Sequence, residues 1–209
     1  MFIKIFSLGM FQSNCIIVAD QDQGKAVIID PGDEADKILS EIQRHKFTVT
    51  HILLTHAHHD HIGAVSEIQE TLGCSVCLHT DDLFLYDNIA MQASFLGAHL
   101  PKIKMPKTLP LKDNDVIECT QDLTVKVLHT PGHSPGSVCF VIHNHLISGD
   151  TLFMGSIGRT DLWNGNYDSL INAVRTKLFT LPLNTIVLPG HGPHTTIKNE
   201  INHNPFFQD

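Results

Sequence analysis

Short apolar runs, each bounded by Gly, Pro, Asp or Asn, recur along the chain. Runs of this kind between turn-forming residues are typical of β-strands. The run over residues 26–29, for example, ends at Asp30, Pro31 and Gly32. The pattern predicts strands over residues 2–6, 15–19, 26–29, 52–54, 74–78, 116–118, 123–128, 137–142, 145–147 and 185–188.

Helical spacing of apolar residues occurs between these runs. Ile38 and Ile42 predict a helix over residues 33–45, and Leu170 and Val174 predict another over residues 167–178. Residues 64–72 and 81–96 are also predicted to be helical, whereas residues 97–115 show no clear pattern. Because the strands come in runs with helices between the runs, regular βαβ alternation is excluded. The sequence indicates an α/β fold in which two mixed sheets pack together with helices outside.

Length and composition narrow the class of protein. A chain of 209 residues is expected to form one domain over residues 1–209, at about 100–200 residues per domain. No apolar run approaches the roughly 18 residues of a membrane span, and Lys4 interrupts the apolar start, so neither a membrane anchor nor a signal peptide is expected. A net charge of −8 disfavours binding to nucleic acid. Five cysteines in a chain that needs no disulfides predict a cytoplasmic protein.

Histidine is abundant, with 15 residues against 14 Lys and Arg together. The segment THAHHDH begins at Thr55, directly after one predicted strand. Three further predicted strands are followed by PGHSPG at residues 131–136, GDT at 149–151 and PGHGP at 189–193. Rigid strand ends can hold such side chains together, and the Gly and Pro turns can aim them at one point.

These segments offer more ligands than one four-coordinate metal ion can use. Two ions that share a carboxylate and a water account for the number of ligands. The candidate ligands are His56, His58, Asp60, His61, His133, Asp150 and His191. Two ions about 3.5–4 Å apart lower the pKa of a shared water toward ~7, so a bridging hydroxide becomes the expected nucleophile. Asp30 and Thr55 lie at predicted strand ends, where they either orient the ligand imidazoles or cap turns.

The segment from His56 to His61 resembles the HxHxDH sequence of the metallo-β-lactamase superfamily. The later segments PGHSPGS, SGDTLF and PGHGP are similar to those of the hydroxyacylglutathione hydrolases, also called glyoxalase II. The resemblance runs from Asn14 to Pro205. It implies an αββα sandwich, which agrees with the two mixed sheets expected from the pattern.

Residue by residue, the resemblance implies two metal sites. His56, His58 and His133 would bind the first ion, and Asp150 would bridge the two. The second ion would be bound by Asp60, His61 and His191. Zinc is implied, with iron or manganese also tolerated, because imidazole and carboxylate ligands do not select among these metals.

The implied reaction is hydrolysis of a 2-hydroxyacyl thioester such as S-D-lactoylglutathione. Asp60 would be both a ligand and the hydrogen-bond acceptor for the hydroxide, and the thiolate would leave without a strong general acid. The expected partner is therefore a small-molecule thioester, with glutathione as the thiol, and the sequence does not indicate an oligomeric state. The chain resembles the shorter glyoxalase II proteins, which lack the C-terminal helical region that binds glutathione in longer members.

Two features around the candidate site remain to be assigned: the role of Arg159 and the residues that form the rim of the site. Arg159 either anchors the substrate or forms an internal ion pair with Asp161. Aromatic and apolar residues that could form a rim around the site are Phe153, Met154, Trp163 and Tyr86.

Three other functions are weighed against this one. The sequence GRTD at residues 158–161 also resembles persulfide dioxygenases, iron oxidoreductases that would use only His56, His133 and Asp150. The segment PGHGP favours the hydrolase. A nuclease is disfavoured by the charge of −8. A metal-binding module without activity would not require so many ligands around open coordination positions.

Overall fold

The computed structural model describes residues 1–21, 23–95, 97 and 104–208. One mixed sheet contains the first strands of the chain in their sequence order. They are β1 (Phe2–Leu8), β2 (Ser13–Ala19), β3 (Lys25–Ile29), β4 (Thr48–Leu53), β5 (Ser75–His79) and β6 (Thr108–Leu111). The first three strands pair antiparallel, and β3 to β6 pair parallel.

Among the described residues, the second mixed sheet contains six strands from the rest of the chain. The strands of the rest of the chain are β7 (Val116–Glu118), β8 (Thr124–His129), β9 (Val138–Ile142), β10 (His145–Gly149), β11 (Leu152–Phe153), β12 (Ser156–Ile157), β13 (Ile186–Pro189) and β14 (Thr195–Thr196). The order in this sheet is β14-β13-β10-β9-β8-β7, and only β10 and β13 pair parallel. The short strands β11 and β12 form a separate hairpin.

Helices connect and cover the two sheets. They are α1 (Ala35–His45), α2 (His59–Ile62), α3 (Val65–Leu72), α4 (Leu83–Tyr86), α5 (Ile89–Phe95), α6 (Tyr167–Ala173) and α7 (Ile197–His203). A 3₁₀ turn over Thr80–Asp82 precedes α4, and a π-helical turn over Val174–Leu178 continues α6. Within the described ranges, no helix has both the length and the apolar composition needed to cross a bilayer.

Strand β2 shows why the layers stack as they do. All seven of its residues are buried, because both of its faces are covered. Ile16 and Val18 pack with Phe140 of β9 between the two sheets. Cys15 and Ile17 alternate with them and pack against the helix side. The second sheet is covered on its outer face by α6, the π-helical turn and α7. The αββα sandwich expected from the sequence is confirmed.

The predicted helix over residues 81–96 is wrong as one element. The chain instead forms the 3₁₀ turn, then α4 and α5, with a break at Asp87 and Asn88. The Asn88 side-chain amide donates to the Phe84 carbonyl over 2.7 Å, a local bond that competes with helix continuation. Leu96, the last residue of that prediction, lies outside the described residues.

Other differences involve short elements. Residues 97–115, which show no sequence pattern, contain β6. The helix predicted over residues 167–178 is α-helical only to Ala173, and the following π-helical turn keeps Val174 and Leu178 buried against the second sheet. The sequence pattern also gave no indication of β11, β12, β14, α2 or α7.

A matched pair of isoleucines tests the inter-sheet core. Ile16 and Ile5 are cross-strand partners, but Ile16 is 1% exposed and Ile5 is 41% exposed. We expect Ile16→Ala to lower the free energy of unfolding by about 2–5 kcal/mol, because it leaves a cavity between the sheets. Ile5→Ala, the control, should cost less than about 1 kcal/mol. Urea unfolding followed by circular dichroism measures both, and equal losses would contradict the layer assignment.

Candidate metal centre

The seven predicted ligands follow the ends of strands from both sheets. His56 and His58 lie in the segment after β4 of the first sheet, which leads directly into the short helix α2. The other segments follow β8, β10 and β13 of the second sheet. The site therefore lies at an edge that the two sheets share.

The structure brings the seven side chains together in two groups. In each group, one ligand atom from every residue lies within 4.8 Å of the others. The first group is His56, His58 and His133, and the second is Asp60, His61 and His191. Asp150 contacts both groups, since its carboxylate oxygens lie 3.5 Å from His133 Nε2 and 3.4 Å from His61 Nε2.

Ring nitrogens face each other across short distances in both groups. His58 Nδ1 lies 2.8 Å from His133 Nε2, and His133 Nε2 lies 3.2 Å from His56 Nε2. In the second group, His61 Nε2 lies 3.3 Å from His191 Nε2. The tautomer of each ring decides what these nitrogens present to one another.

Two backbone carbonyls fix the tautomers of His133 and His191. Nδ1 of His133 lies 2.7 Å from the carbonyl of Arg159, and Nδ1 of His191 lies 3.1 Å from the carbonyl of Phe11. A carbonyl only accepts hydrogen bonds, so each Nδ1 carries the proton. In the neutral, metal-binding form of either ring, Nε2 is then the nitrogen that carries the lone pair, and it faces the centre of the site.

Asp30 and Thr55 orient two further imidazoles, because Asp30 accepts a hydrogen bond from His61 and Thr55 accepts one from His56. Asp30 accepts from Nδ1 of His61 over 3.1 Å and from the Thr55 hydroxyl over 2.6 Å. Because that hydroxyl donates to Asp30, its oxygen is left to accept from Nδ1 of His56 at 3.0 Å. Asp30 also accepts the Thr55 backbone N–H, so it both caps the turn and orients the imidazoles.

Close packing fixes the positions of Asp30 and Thr55. Asp30 adopts a left-handed backbone with φ 50° and is 1% exposed. Gly149, at the end of β10, lies against Thr55, and a Cβ at that position would collide with the Thr55 hydroxyl. A side chain in place of Gly149 would therefore displace the group that orients His56.

The donor set fits divalent metal ions. Nδ1 of His58, Nε2 of the other four imidazoles and the carboxylates of Asp60 and Asp150 converge on buried positions. Such donors repel one another unless a proton or a metal cation lies between them. Nε2 of His58 and one oxygen of Asp150 are buried without a hydrogen-bond partner among the described residues. Imidazole and carboxylate are ligands for zinc, iron and manganese.

Electrostatics at the site also favour a cation. Burial lowers the pKa of His56 and of His58, so both rings are neutral. At His61 burial acts in the same direction, but the carboxylates of Asp60, Asp150 and Asp30 outweigh it and raise the pKa to about 10. Burial alone would raise the pKa of Asp60, yet His61 and a hydrogen bond from His191 hold it well below its usual range. The carboxylates thus create a potential that attracts positive charge.

Asp82 is a structural residue that the sequence reasoning missed. It is fully buried, and its carboxylate accepts from Ala57 N at 3.0 Å, from the Ser134 hydroxyl at 2.7 Å and from Gly136 N at 2.6 Å. These bonds tie the His56–His58 segment to the turn that carries His133. In the sequence, Asp82 is only one acidic residue in a predicted helix, so no pattern marks it.

Asn14 and Ser13 at the start of β2 hold the other side of the site. The Asn14 amide donates to the carbonyls of Pro189 and Gly192, each over 2.9 Å, and so fixes the turn that carries His191. The Ser13 hydroxyl donates to the backbone carbonyl of Asp60 over 2.6 Å. The sequence feature that could have identified Ser13 and Asn14 is their position as polar residues at the start of an apolar strand.

A pocket of about 170 Å³ opens onto the two ligand groups. Its wall includes Phe11, His59, Arg159 and Trp163, with the Trp163 ring 5.2 Å from that of His58. Tyr86, a candidate for the rim, is instead 1% exposed and packs in the core beside the first sheet.

Arg159 lies at this pocket and forms the internal pair that was one of the two alternatives. Its guanidinium donates to both oxygens of Asp161, over 2.7 and 2.9 Å, and both side chains are exposed. The pair raises the pKa of Arg159 and lowers that of Asp161 to about 2. A role of Arg159 in holding substrate stays a prediction.

A further His/Asp group lies away from this pocket. His79, Asp81 and His129 approach one another, but the two imidazoles stack in parallel, with centroids 4.1 Å apart and planes 9° apart. The lone pair of an imidazole nitrogen lies in the plane of its ring, so the lone pairs of two stacked parallel rings lie in separate planes and do not converge on one ion. We therefore treat this group as structural.

Comparison with known proteins places the chain among metallo-hydrolases. The metallo-beta-lactamase superfamily matches residues 8–191. Hydroxyacylglutathione hydrolase GloC of Haemophilus influenzae is 36% identical over 209 residues, which cover 98% of this chain and 97% of that protein.

Solved structures agree with this result. The BLEG-1 B3 metallo-beta-lactamase is 39% identical, with a TM-score of 0.92 over 100% of both chains. The protein TTHA1623 in a di-iron-bound form is 40% identical, with a TM-score of 0.88 over 97% of this chain and 99% of that one. ETHE1 from Myxococcus xanthus is 29% identical, with a TM-score of 0.80 over 98% and 84%. From the family match, these likenesses and the observed sandwich, the chain belongs to the metallo-β-lactamase superfamily.

Proposed function

We propose that this protein hydrolyses 2-hydroxyacyl thioesters, with S-D-lactoylglutathione as a representative substrate. The observation that carries the proposal is the convergence of two ligand groups on either side of Asp150, beside an open pocket. The similarity to the hydroxyacylglutathione hydrolase GloC over nearly the whole chain supports the thioester as substrate. Superfamily membership supports the broader class of metal-dependent hydrolase.

The ligand assignment is part of the proposal. His56, His58 and His133 would hold one divalent ion, Asp60, His61 and His191 a second, and Asp150 both. We propose zinc, with iron or manganese as alternatives, because the donors do not discriminate among them and TTHA1623 is known in a di-iron-bound form. When bound, such a pair supplies Lewis acidity, which lowers the pKa of water and polarises a carbonyl group.

The protein's own groups would position the reactants. The Asp60 carboxylate, 3.2 Å from His191 Nε2 and largely buried, remains ionised and can accept a hydrogen bond from the attacking water. Its acceptor role would orient the water toward the substrate carbonyl, and such positioning is a large part of the catalytic effect. A thioester suits this site better than an amide, because a thiolate leaves without first receiving a proton.

Compartment and domain organisation complete the proposal. The five cysteines are all buried and free, which fits the reducing cytoplasm where glutathione is abundant. Both sheets share one inter-sheet core, so we treat residues 1–209 as one domain.

Metal analysis beside a substrate panel tests the proposed function. We expect two ions per chain and hydrolysis of S-D-lactoylglutathione, followed by the loss of thioester ultraviolet absorbance. The panel includes glutathione persulfide with an oxygen electrode, and a chromogenic β-lactam. One iron per chain with persulfide-dependent oxygen uptake would replace the hydrolase by a dioxygenase. Faster cleavage of the β-lactam than of any thioester would equally contradict the proposal.

His58→Ala tests the first ligand group. We expect bound metal to fall from about two ions to about one, and kcat/KM to fall by at least about 100-fold, because His58 directs a ring nitrogen at His133. Mass spectrometric metal analysis and the thioester assay measure these effects. The control is His203→Ala, an exposed histidine of α7. Full metal content with normal turnover in His58→Ala would refute the assignment.

Asp30→Asn tests the orienting network without removing a ligand. The carboxylate accepts the Thr55 backbone N–H on Oδ1, and it accepts the Thr55 hydroxyl and His61 Nδ1 on Oδ2. An amide has one acceptor oxygen and presents its NH₂ group to the remaining donor, so the ring of His61 is no longer held in one orientation. We expect metal affinity, measured by competition with a chelator, to fall about 10–100-fold. Asp36→Asn on the exposed face of α1 serves as the control. An unchanged affinity in Asp30→Asn would show that the network does not act on the metal.

A further inference from the structure

A second pocket adjoins the metal centre beneath the turn between β1 and β2. Its volume is about 180 Å³, and its residues are mostly apolar or glycine. They include Leu8 at the end of β1, Met10 and Phe11 of the turn, and Gly32 and Gly63. Three residues, Phe11, His59 and Asp60, line both this pocket and the one that opens onto the ligands. The two pockets are therefore neighbours separated by a shared wall.

His59 is the unexplained polar group in that wall. The residue is 7% exposed, and neither of its ring nitrogens has a hydrogen-bond partner among the described residues. Its Nδ1 lies 3.7 Å from the Asp60 carboxylate, too far for a hydrogen bond. A buried imidazole without partners costs free energy, so it needs a group that arrives from outside the protein.

We propose that the pocket beneath the β1–β2 turn receives the acyl side chain of the substrate, and that His59 hydrogen-bonds the 2-hydroxyl group of that acyl chain. This inference rests on the proposed thioester hydrolysis and names the acyl group. A cavity of about 150 Å³ lined by apolar residues binds benzene. The volume here therefore fits a phenyl ring, and the preferred acyl group is an aromatic 2-hydroxyacyl group of the mandeloyl type.

Geometry places the two ends of such a group appropriately. Asp60 directs its side chain toward His191, while its backbone carbonyl accepts from Ser13, which lines the acyl pocket. A carbonyl carbon held at the metal centre would therefore carry its substituent past Asp60 and His59. The ring of Phe11 packs edge-on against His59, with centroids 5.0 Å apart, and is 42% exposed. Rotation of this side chain would uncover His59 and join the two pockets.

Three glutathione thioesters separate the two contacts. Mandeloyl carries a phenyl ring and a hydroxyl, phenylacetyl carries the ring alone, and lactoyl carries the hydroxyl with a methyl group. For the unmodified holoenzyme, we expect kcat/KM for mandeloyl to exceed that for either of the others by about tenfold or more. Equal values for mandeloyl and lactoyl, with turnover present, would overturn the acyl pocket and leave the hydrolase intact.

Two variants assign each contact to a residue. Met10→Trp places an indole over the pocket, so the mandeloyl-to-lactoyl ratio of kcat/KM should fall about tenfold. His59→Leu removes the hydrogen bond, so the mandeloyl-to-phenylacetyl ratio should fall by a similar factor while the mandeloyl-to-lactoyl ratio stays above one. Met91→Trp, on an exposed methionine of α5 outside both pockets, is the control. Ratios in Met10→Trp and His59→Leu that match the control would overturn the inference.

Binding of the free acid gives a readout that does not depend on turnover. Saturation-transfer NMR with sodium mandelate and the holoenzyme should show transfer to the phenyl protons, and Met10→Trp should abolish it. Absence of transfer in the unmodified protein, or equal transfer in Met10→Trp, would overturn the acyl pocket. If no thioester is hydrolysed while mandelate still binds in this manner, the proposed function fails and the pocket stands as a site for an aromatic hydroxy acid.

Discussion

The metal centre depends on one repeated interaction, an oxygen atom that accepts a hydrogen bond from Nδ1 of a histidine. The carbonyls of Arg159 and Phe11, the hydroxyl of Thr55 and the carboxylate of Asp30 each perform this role for one ring. Each bond fixes both the tautomer and the direction of the ring. Nε2 of these four rings then faces the centre in a fixed orientation, whereas the fifth imidazole, that of His58, directs Nδ1 at another ligand imidazole and has no such oxygen partner.

The same network explains why so much polarity is tolerated in the interior. Buried polar networks stabilise a protein only when every member is satisfied. Asp30 is satisfied by Thr55 and His61, and Asp82 by two backbone amides and the Ser134 hydroxyl. Five buried side-chain atoms of the described residues have no partner, and four of them, on His58, His59 and Asp150, belong to residues that line the two adjoining pockets. The fifth, Nδ1 of His145 at the start of β10, lines neither pocket. Most of the polar atoms without protein partners thus lie where ions and substrate would bind.

Much of this arrangement could be predicted from sequence. Ligand types recur after apolar strands, so the sequence predicts seven ligands, and the structure brings these side chains together where strands of the two sheets end at one edge. Asp82 and the break at Asn88 could not be found in this way, because each depends on contacts between segments distant in sequence or on a single local bond. Strand β6 could not be predicted because its segment shows no alternation of apolar and polar residues. Its extended conformation depends on its pairing with β5.

The carbonyl of Phe11 couples the β1–β2 turn to the ligand groups through its hydrogen bond with His191. Since that carbonyl fixes the ring of His191, the backbone of the turn cannot swing outward without turning an imidazole away from the centre. If the backbone of this turn moved as a hinged loop, it would open the site but would also lose the orientation of His191. The side chain of Phe11 is 42% exposed and packs edge-on against His59, so a change of its rotamer leaves in place the carbonyl that fixes His191.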